Sequence, residues 1–449
     1  MFSSPAVSRT AFTAGLVFLA AACGKSLPTP PPGNPPPPPP PRPTLPTTYR
    51  PSGHMAAGDV FVHLFEWRWT DIAAECENVL GPAGFNAVQI SPPQEHSIVP
   101  SHDWSERYQP VSYSLEHSRS GTGVEFTDMV TRCNAVGVGI IADAVINHMT
   151  NFPSPGVGSN GTNYTKYDYP GLYSSSDFHT PCQVNNYQSA ANVQDCELFS
   201  LPDLKTELVS VRQKIAAYLI ALARAGVAGF RIDAAKHIQQ VDLDEILRIV
   251  NDTMSAAGKP RPYVYLEVAG GSGEALSPCG ISYRDGNVFR MANVWMLAQP
   301  YGYPSVLSSY AFSCPSENSL GPPSDANGWT TPVACASSLE TASAGQWVCE
   351  HRDPSILKMV SFRHVVAGTD VNHWWDNGAN AIAFSRGTKG FVAINNGTNP
   401  LDTTLSTGMA AGTYLDLLTG SSVVVDAVGA IHLILSPRSA IAIDTATRQ

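Results

Sequence analysis

Three stretches of the chain place charged side chains where apolar runs end. They are Asp143-Ala-Val-Ile-Asn147-His148, Arg231-Ile-Asp233-Ala-Ala-Lys236-His237, and Glu267 at the close of Tyr-Val-Tyr-Leu-Glu. Two carboxylates at the C-terminal ends of consecutive strands, with neighbouring strands roughly 4.8 Å apart, can stand ~5–5.5 Å from each other. At that separation one carboxylate attacks an anomeric carbon. The other protonates the leaving oxygen and later deprotonates water. Asp233 and Glu267 meet this requirement. Arg231, two residues before Asp233 on the same side of the strand, would keep that carboxylate ionised. A barrel-lining ion pair would explain one such Asp by itself; three polar strand ends together favour a site. Asn147 and Asp203 carry oxygen ligands of the kind calcium prefers, although each alone reads rather as a turn or cap residue. The rings of Trp104, Tyr108 and Tyr187 suit stacking on sugars, and aromatics are also ordinary core.

These residues need a frame. Apolar, non-alternating runs at Val60 to Phe65, Asn86 to Ser91, Gly139 to Ile146, Val227 to Ile232 and Tyr263 to Glu267 read as buried parallel strands. Helical spacing lies between them, at Thr70 to Leu80, Glu125 to Val136, along Leu208, Val211, Ile215, Leu219 and Leu222, and at Leu243 to Met254. Gly226 ends the third of these helices. This order predicts an α/β chain with a (β/α)8-type barrel. An open doubly wound sheet is the alternative, but no glycine-rich phosphate fingerprint follows the first strand. The stretch 148–204, rich in Asn, Ser, Tyr, Pro and Gly, is too long for a plain loop and reads as an irregular domain inserted after the third strand. After about Trp375 the pattern becomes all-β, with six predicted strands forming a C-terminal antiparallel sandwich. The expected units are therefore 56–375 for the barrel, including the insertion, and 376–449 for the sandwich.

The N-terminus implies export. Arg9 precedes a short apolar run, Ala11 to Ala22, followed at once by Cys23. The run is too short to span a membrane and has the layout of a secretory signal. Small residues before Cys23 resemble a bacterial lipoprotein cleavage site, which would lipidate that cysteine at the cell surface. Ordinary cleavage near Ala22, giving a secreted protein, is the alternative. Residues 24–55 contain a proline tract that reads as a semi-rigid spacer. The formal charge of -10 argues against nucleic acid, whose binding needs a basic face. Besides Cys23, eight cysteines remain in a compartment where disulfides persist, and no CxxC pair suggests structural zinc. Spacing leaves the pairing open. Cys182 with Cys196 and Cys335 with Cys349 would close short loops, and Cys76 with Cys133 a long one; Cys279 and Cys314 are left over.

Longer stretches then carry a resemblance. VHLFEWRWTDIAAECE (Val62 to Glu77), SPPQEH, ERYQPVSY, TRCNAVGVGIIADAVINHM, VQDCELFSLPDL, GVAGFRIDAAKH, MLAQPYGYPSVLSSY, WVCEHR and NHWWDNG together resemble the animal-type branch of the α-amylase family of glycoside hydrolases, from about Gly58 to the C-terminus. The resemblance implies retaining endo-hydrolysis of α-1,4-glucosidic bonds in starch, glycogen and maltooligosaccharides by a monomer. It implies Asp233 as nucleophile and Glu267 as acid/base. Asp143, Arg231 and His148 would order the site, Trp104, Tyr108 and Gln109 would line the sugar cleft, and Lys236 and His237 would lie on the leaving-group side. Asn147, Asp203 and the carbonyls of Gln194 and His237 would hold calcium. Arg231 matches one family chloride ligand, but the position of the second basic ligand is Ser305, so a complete chloride site is not expected.

One departure is large. The family's Asn-His-Asp motif at the end of the seventh strand, whose Asp stabilises the transition state, is absent between Glu267 and Met291. The text passes from the end of a fifth strand to the helix before an eighth across Ser277-Pro278-Cys279-Gly280. With ~30 residues per βα unit, about 60 residues are missing, equivalent to the sixth and seventh units. An incomplete barrel is therefore expected, and loss of the third carboxylate should slow catalysis. A non-catalytic α-glucan-binding surface lipoprotein is the competing expectation.

Overall fold

The apolar runs form six parallel strands in one sheet. They are β1 (Phe61–Leu64), β2 (Ala87–Ile90), β3 (Gly139–Ala144), β4 (Gly229–Ile232), β5 (Tyr263–Leu266) and β6 (Ser305–Ser308), in the spatial order β6-β1-β2-β3-β4-β5. The computed structural model describes residues 58–268, 283–311, 321–343 and 345–449. The signal segment, Cys23, the proline tract, Cys279, Cys314 and the seam at 277–280 lie outside the described residues. Among those described, β5 and β6 are not paired with each other, so the barrel is not closed.

Each helix buries its apolar stripe on this sheet. Gly123–Ala135 starts at a capping box, with Thr122 and Glu125 satisfying each other's backbone N–H groups. Val209–Arg224 buries Val211, Ile215, Leu219 and Leu222, and the chain leaves it through Gly226 at φ +102°, a conformation that favours glycine. Gln240–Ala256, Asn287–Ala298 and Pro354–Val365 complete the cover. The helix expected over Thr70 to Leu80 runs from Trp69 to Glu75 and continues through a wider turn, Cys76–Leu80.

The stretch 148–204 is the expected irregular insertion. It has one two-residue hairpin, Gly156–Val157 with Asn163–Tyr164, and packs around Tyr164, Tyr169, Tyr173 and Phe178. Disulfides join Cys76 to Cys133, Cys182 to Cys196 and Cys335 to Cys349. The C-terminal region is a sandwich of two four-stranded antiparallel sheets over a core that includes Phe391, Tyr414, Ile431 and Ile443. Two of its strands, Val371–Asp376 and Leu401–Ser406, have no counterpart in the sequence expectation.

Candidate active site

Parallel strands in register bring the three polar strand ends to one face. Asp143 of β3 pairs in register with Arg231 of β4, and Arg231 with Tyr265 of β5. Asp233 and Glu267 follow two residues after Arg231 and Tyr265, so they emerge on the same side one step higher. Backbone bonds fix the crossing: the Asp233 N–H donates to the Ala144 carbonyl at 3.0 Å, and the Glu267 N–H to the Ile232 carbonyl at 2.9 Å.

The guanidinium of Arg231 organises the centre. One nitrogen, Nη1, lies 2.7 Å from Oδ1 of Asp143 and 2.7 Å from Oδ1 of Asp233. The other, Nη2, lies 2.6 Å from Oε1 of Glu267. Such charge-assisted contacts are the strong class of hydrogen bond. The second oxygen of Glu267 accepts the N–H of Ala234 at 2.9 Å. That N–H is aimed there because Ala234 adopts a left-handed conformation (φ 49°, ψ 34°), strained for any residue but glycine. Asp143 is fully buried and Asp233 nearly so, whereas the Glu267 side chain is 41% exposed. The acid/base candidate thus faces the opening and the nucleophile candidate lies beneath it.

Burial pushes the carboxyls of both Asp143 and Asp233 above the usual range. Their mutual repulsion adds to this for Asp233, and Arg231 opposes it in both. The three surrounding carboxylates outweigh burial and hold Arg231 charged.

The other expected residues take distinct places. The Tyr108 hydroxyl donates to Oδ2 of Asp143 at 3.0 Å. His148 contacts the Tyr108 carbonyl through Nε2 at 3.0 Å, and burial pushes its ring down to about 4. The Trp104 ring stands 5.7 Å from that of Tyr108 and 6.2 Å from that of Phe65. Gln109 accepts from Thr150 at 3.2 Å. Lys236 sits over the exposed ring of Tyr187, 4.7 Å from its centre. Asn147 donates to Asp203 at 3.2 Å, and His237 contacts the Val193 carbonyl through Nδ1 at 2.8 Å, next to Gln194. Ser305 starts β6 beside Phe61, at the end of the sheet opposite the carboxylates.

Similarity to known proteins bears on this arrangement. A family model described as the α-amylase catalytic domain matches residues 83–267, and one described as the α-amylase C-terminal all-β domain matches residues 373–446. The α-amylase of Tenebrio molitor is 39% identical over 424 residues, covering 80% of this chain and 88% of its own. This chain belongs to the α-amylase family. Its relatives include the bacterial α-amylase of Thermomonospora curvata, 39% identical over 438 residues that cover 84% of this chain and 70% of that one. Among solved structures, wild-type α-amylase I of Eisenia fetida superposes with a TM-score of 0.80 at 32% identity, covering 88% of this chain and 99% of the other. The protein is accordingly a glycoside hydrolase of α-amylase type, with the family's catalytic and C-terminal domains. The catalytic-domain match ends at Glu267.

Sequence reasoning missed two rings packed near Trp104. Phe65 stands between Trp104 and Tyr310, with its ring 6.1 Å from that of Tyr310. Phe65 lies two residues after His63 on β1, so the alternation of inward-facing positions was the available signal.

Proposed function

We propose that the chain hydrolyses internal α-1,4-glucosidic bonds of starch, glycogen and maltooligosaccharides with retention, using Asp233 as nucleophile and Glu267 as acid/base. The observation that carries this reading is one guanidinium, Arg231, contacting the carboxylates of strands β3, β4 and β5 together. Asp233 attacks the anomeric carbon while Glu267, at the open side, gives a proton to the leaving oxygen. A water deprotonated by Glu267 then releases the sugar with its original configuration. Arg231 and Tyr108 hold Asp143 and Asp233 in place. A variant of the Eisenia fetida enzyme has been crystallised with maltohexaose, which supports a maltooligosaccharide as ligand.

The third carboxylate of the family is absent from the sequence. Removing one preorganised electrostatic contact typically costs about 10²–10³ in kcat, so turnover should fall below that of intact relatives by that order. The test is release of reducing ends from soluble starch by the full chain, against an Asp233→Asn control. Release above the control supports hydrolysis. Starch binding without release would favour the competing reading, an α-glucan-binding surface protein.

Calcium fits the inserted domain's junction. The Asn147 amide, the Asp203 carboxylate and the carbonyls of Gln194 and His237 are all oxygen donors, as calcium prefers. Asp203 is 2% exposed; its Oδ2 contacts Nδ1 of His179 at 2.7 Å and its Oδ1 accepts from Asn147 at 3.2 Å. Among the described residues no three His, Cys, Asp or Glu side chains form a metal cluster. The ion would supply a cross-link between insertion and barrel rather than a chemical step. Chloride does not fit, because Arg231 is engaged by three carboxylates and Ser305 carries no charge. The domain limits given above, export through the N-terminal segment, lipidation at Cys23 and a monomeric state belong to the same proposal.

A further inference from the structure

The lumen beneath the carboxylates holds a tie that the proposed chemistry does not use. Strand alternation turns Phe61 and His63 of β1, Ala87 and Gln89 of β2, and Tyr263 and Tyr265 of β5 to the inner face. The Tyr265 hydroxyl donates to Oε1 of Gln89. In the sheet order, β5 and β2 are separated by β3 and β4, so this bond is made only across the lumen. Gln89 is 6% exposed, and its amide meets Nε2 of His63, its register partner, at 3.3 Å. Burial, helped by Arg231, pushes His63 down to about 3, which leaves a neutral ring whose Nε2 can accept that bond. The Tyr265 ring packs 5.5 Å from that of Phe61. At the bottom of the sheet the Tyr263 ring meets the edge of Tyr303, 5.6 Å away, just before β6.

We propose that Gln89 is a positioning residue for Glu267: through Tyr265 it fixes where β5, the strand ending in Glu267, stands relative to β2 and β1. This rests on the reading of Glu267 as acid/base. Tyr265 and Glu267 lie two residues apart on one face, so a sideways shift of Tyr265 is a shift of Glu267. Among the described strands β5 is paired with β4 only. That ladder fixes register along the strand. The cross-lumen bond adds a lateral restraint on Tyr265, and the Phe61 contact prevents the tyrosine ring from swinging away. Misplacement by 1 Å is enough to cost about 10² in rate.

The test uses the full chain with Gln89→Leu and, separately, Tyr265→Phe, which removes the hydroxyl and keeps the ring. Hydrogen exchange is read on peptides covering 263–267 and, as internal reference, 61–64 and 139–144. Both variants should speed exchange in 263–267 by roughly tenfold or more, on the scale set by losing one buried hydrogen bond, and leave the reference peptides unchanged. On a maltooligosaccharide substrate kcat should fall at least about tenfold with KM held within a factor of two. Gln89→Glu keeps the acceptor and should keep the protection. Unchanged exchange in 263–267, or equal acceleration in all three peptides, overturns the proposal and makes the tie ordinary core packing. Absence of turnover in the unsubstituted chain would sink the hydrolase reading, while the exchange comparison still decides the role of the tie.

Discussion

At the scale of residues, the site is a contest between burial and one arginine. Asp143 and Asp233 are taken out of water together, which raises both above the ordinary carboxylate range, and Arg231 opposes that rise. A carboxyl whose folded pKa is raised binds its proton more readily in the folded state. Its ionisation therefore costs stability as pH climbs from the unfolded value, about 3.9, through the folded one. Asp233→Asn removes that cost. The variant should lose turnover by at least about 10³-fold, as a retaining enzyme without its nucleophile does. Its Tm should match or exceed that of the unsubstituted chain, by more at pH 8 than at pH 4. A lower Tm at pH 8 would show that Asp233 is chiefly a structural partner of Arg231. Sequence made these residues legible because charges at the ends of apolar runs are conspicuous. The Gln89–Tyr265 bond was not legible, because a Gln and a Tyr 176 positions apart give no local signal that they meet across a lumen.

At the scale of elements, the ends of the sheet are held by side chains as well as ladders. Glu75, at the end of the first helix, is 3% exposed and bonded to His351 at 2.7 Å and to Arg352 at 2.8 Å. This joins the first helix to the segment that follows the last barrel strand. Burial alone would raise Glu75, but Arg352 and His351 outweigh it and hold its carboxyl at about 2. A depressed carboxyl contributes stability above its unfolded pKa, and that contribution is lost as pH falls toward about 2. Glu75→Gln should destabilise the chain by about 3 kcal/mol at pH 7, the usual cost of breaking a buried pair. The difference in urea midpoint should shrink as pH drops from 5 toward 3. A constant difference would mean that packing, not charge, is lost. Most strands and helices could be read from apolar runs and helical spacing. Leu401–Ser406 and Val371–Asp376 could not, since their burial alternates or is slight and their residues are largely polar. Strands covered on one face only lack the continuous apolar run that marked the barrel.

At the scale of the whole molecule, three bodies of chain must stay together around an open barrel. The sandwich is clamped to the barrel by a buried arginine of its strand Ala381–Arg386: Arg386 donates to the carbonyls of Thr369 at 2.8 Å and Ala298. The insertion is joined through Asn147, Asp203 and the Val193–His237 contact, where calcium is proposed to bind. A ligand bound only by the folded state raises stability by RT ln(1 + [L]/Kd), about 2.7 kcal/mol at a hundredfold excess over Kd. Chelation should therefore lower Tm by several degrees and calcium, but not magnesium, should restore it; an unchanged Tm would reject the site.

The central claim, that Asp233 and Glu267 perform retaining hydrolysis in an incomplete barrel, is most directly tested by following the anomeric proton of the sugar released from a maltooligosaccharide by NMR. The account predicts slow release, absent in Asp233→Asn, with the α-anomer appearing first and the β-anomer arising later by mutarotation. First appearance of the β-anomer, or release that survives Asp233→Asn, would contradict it.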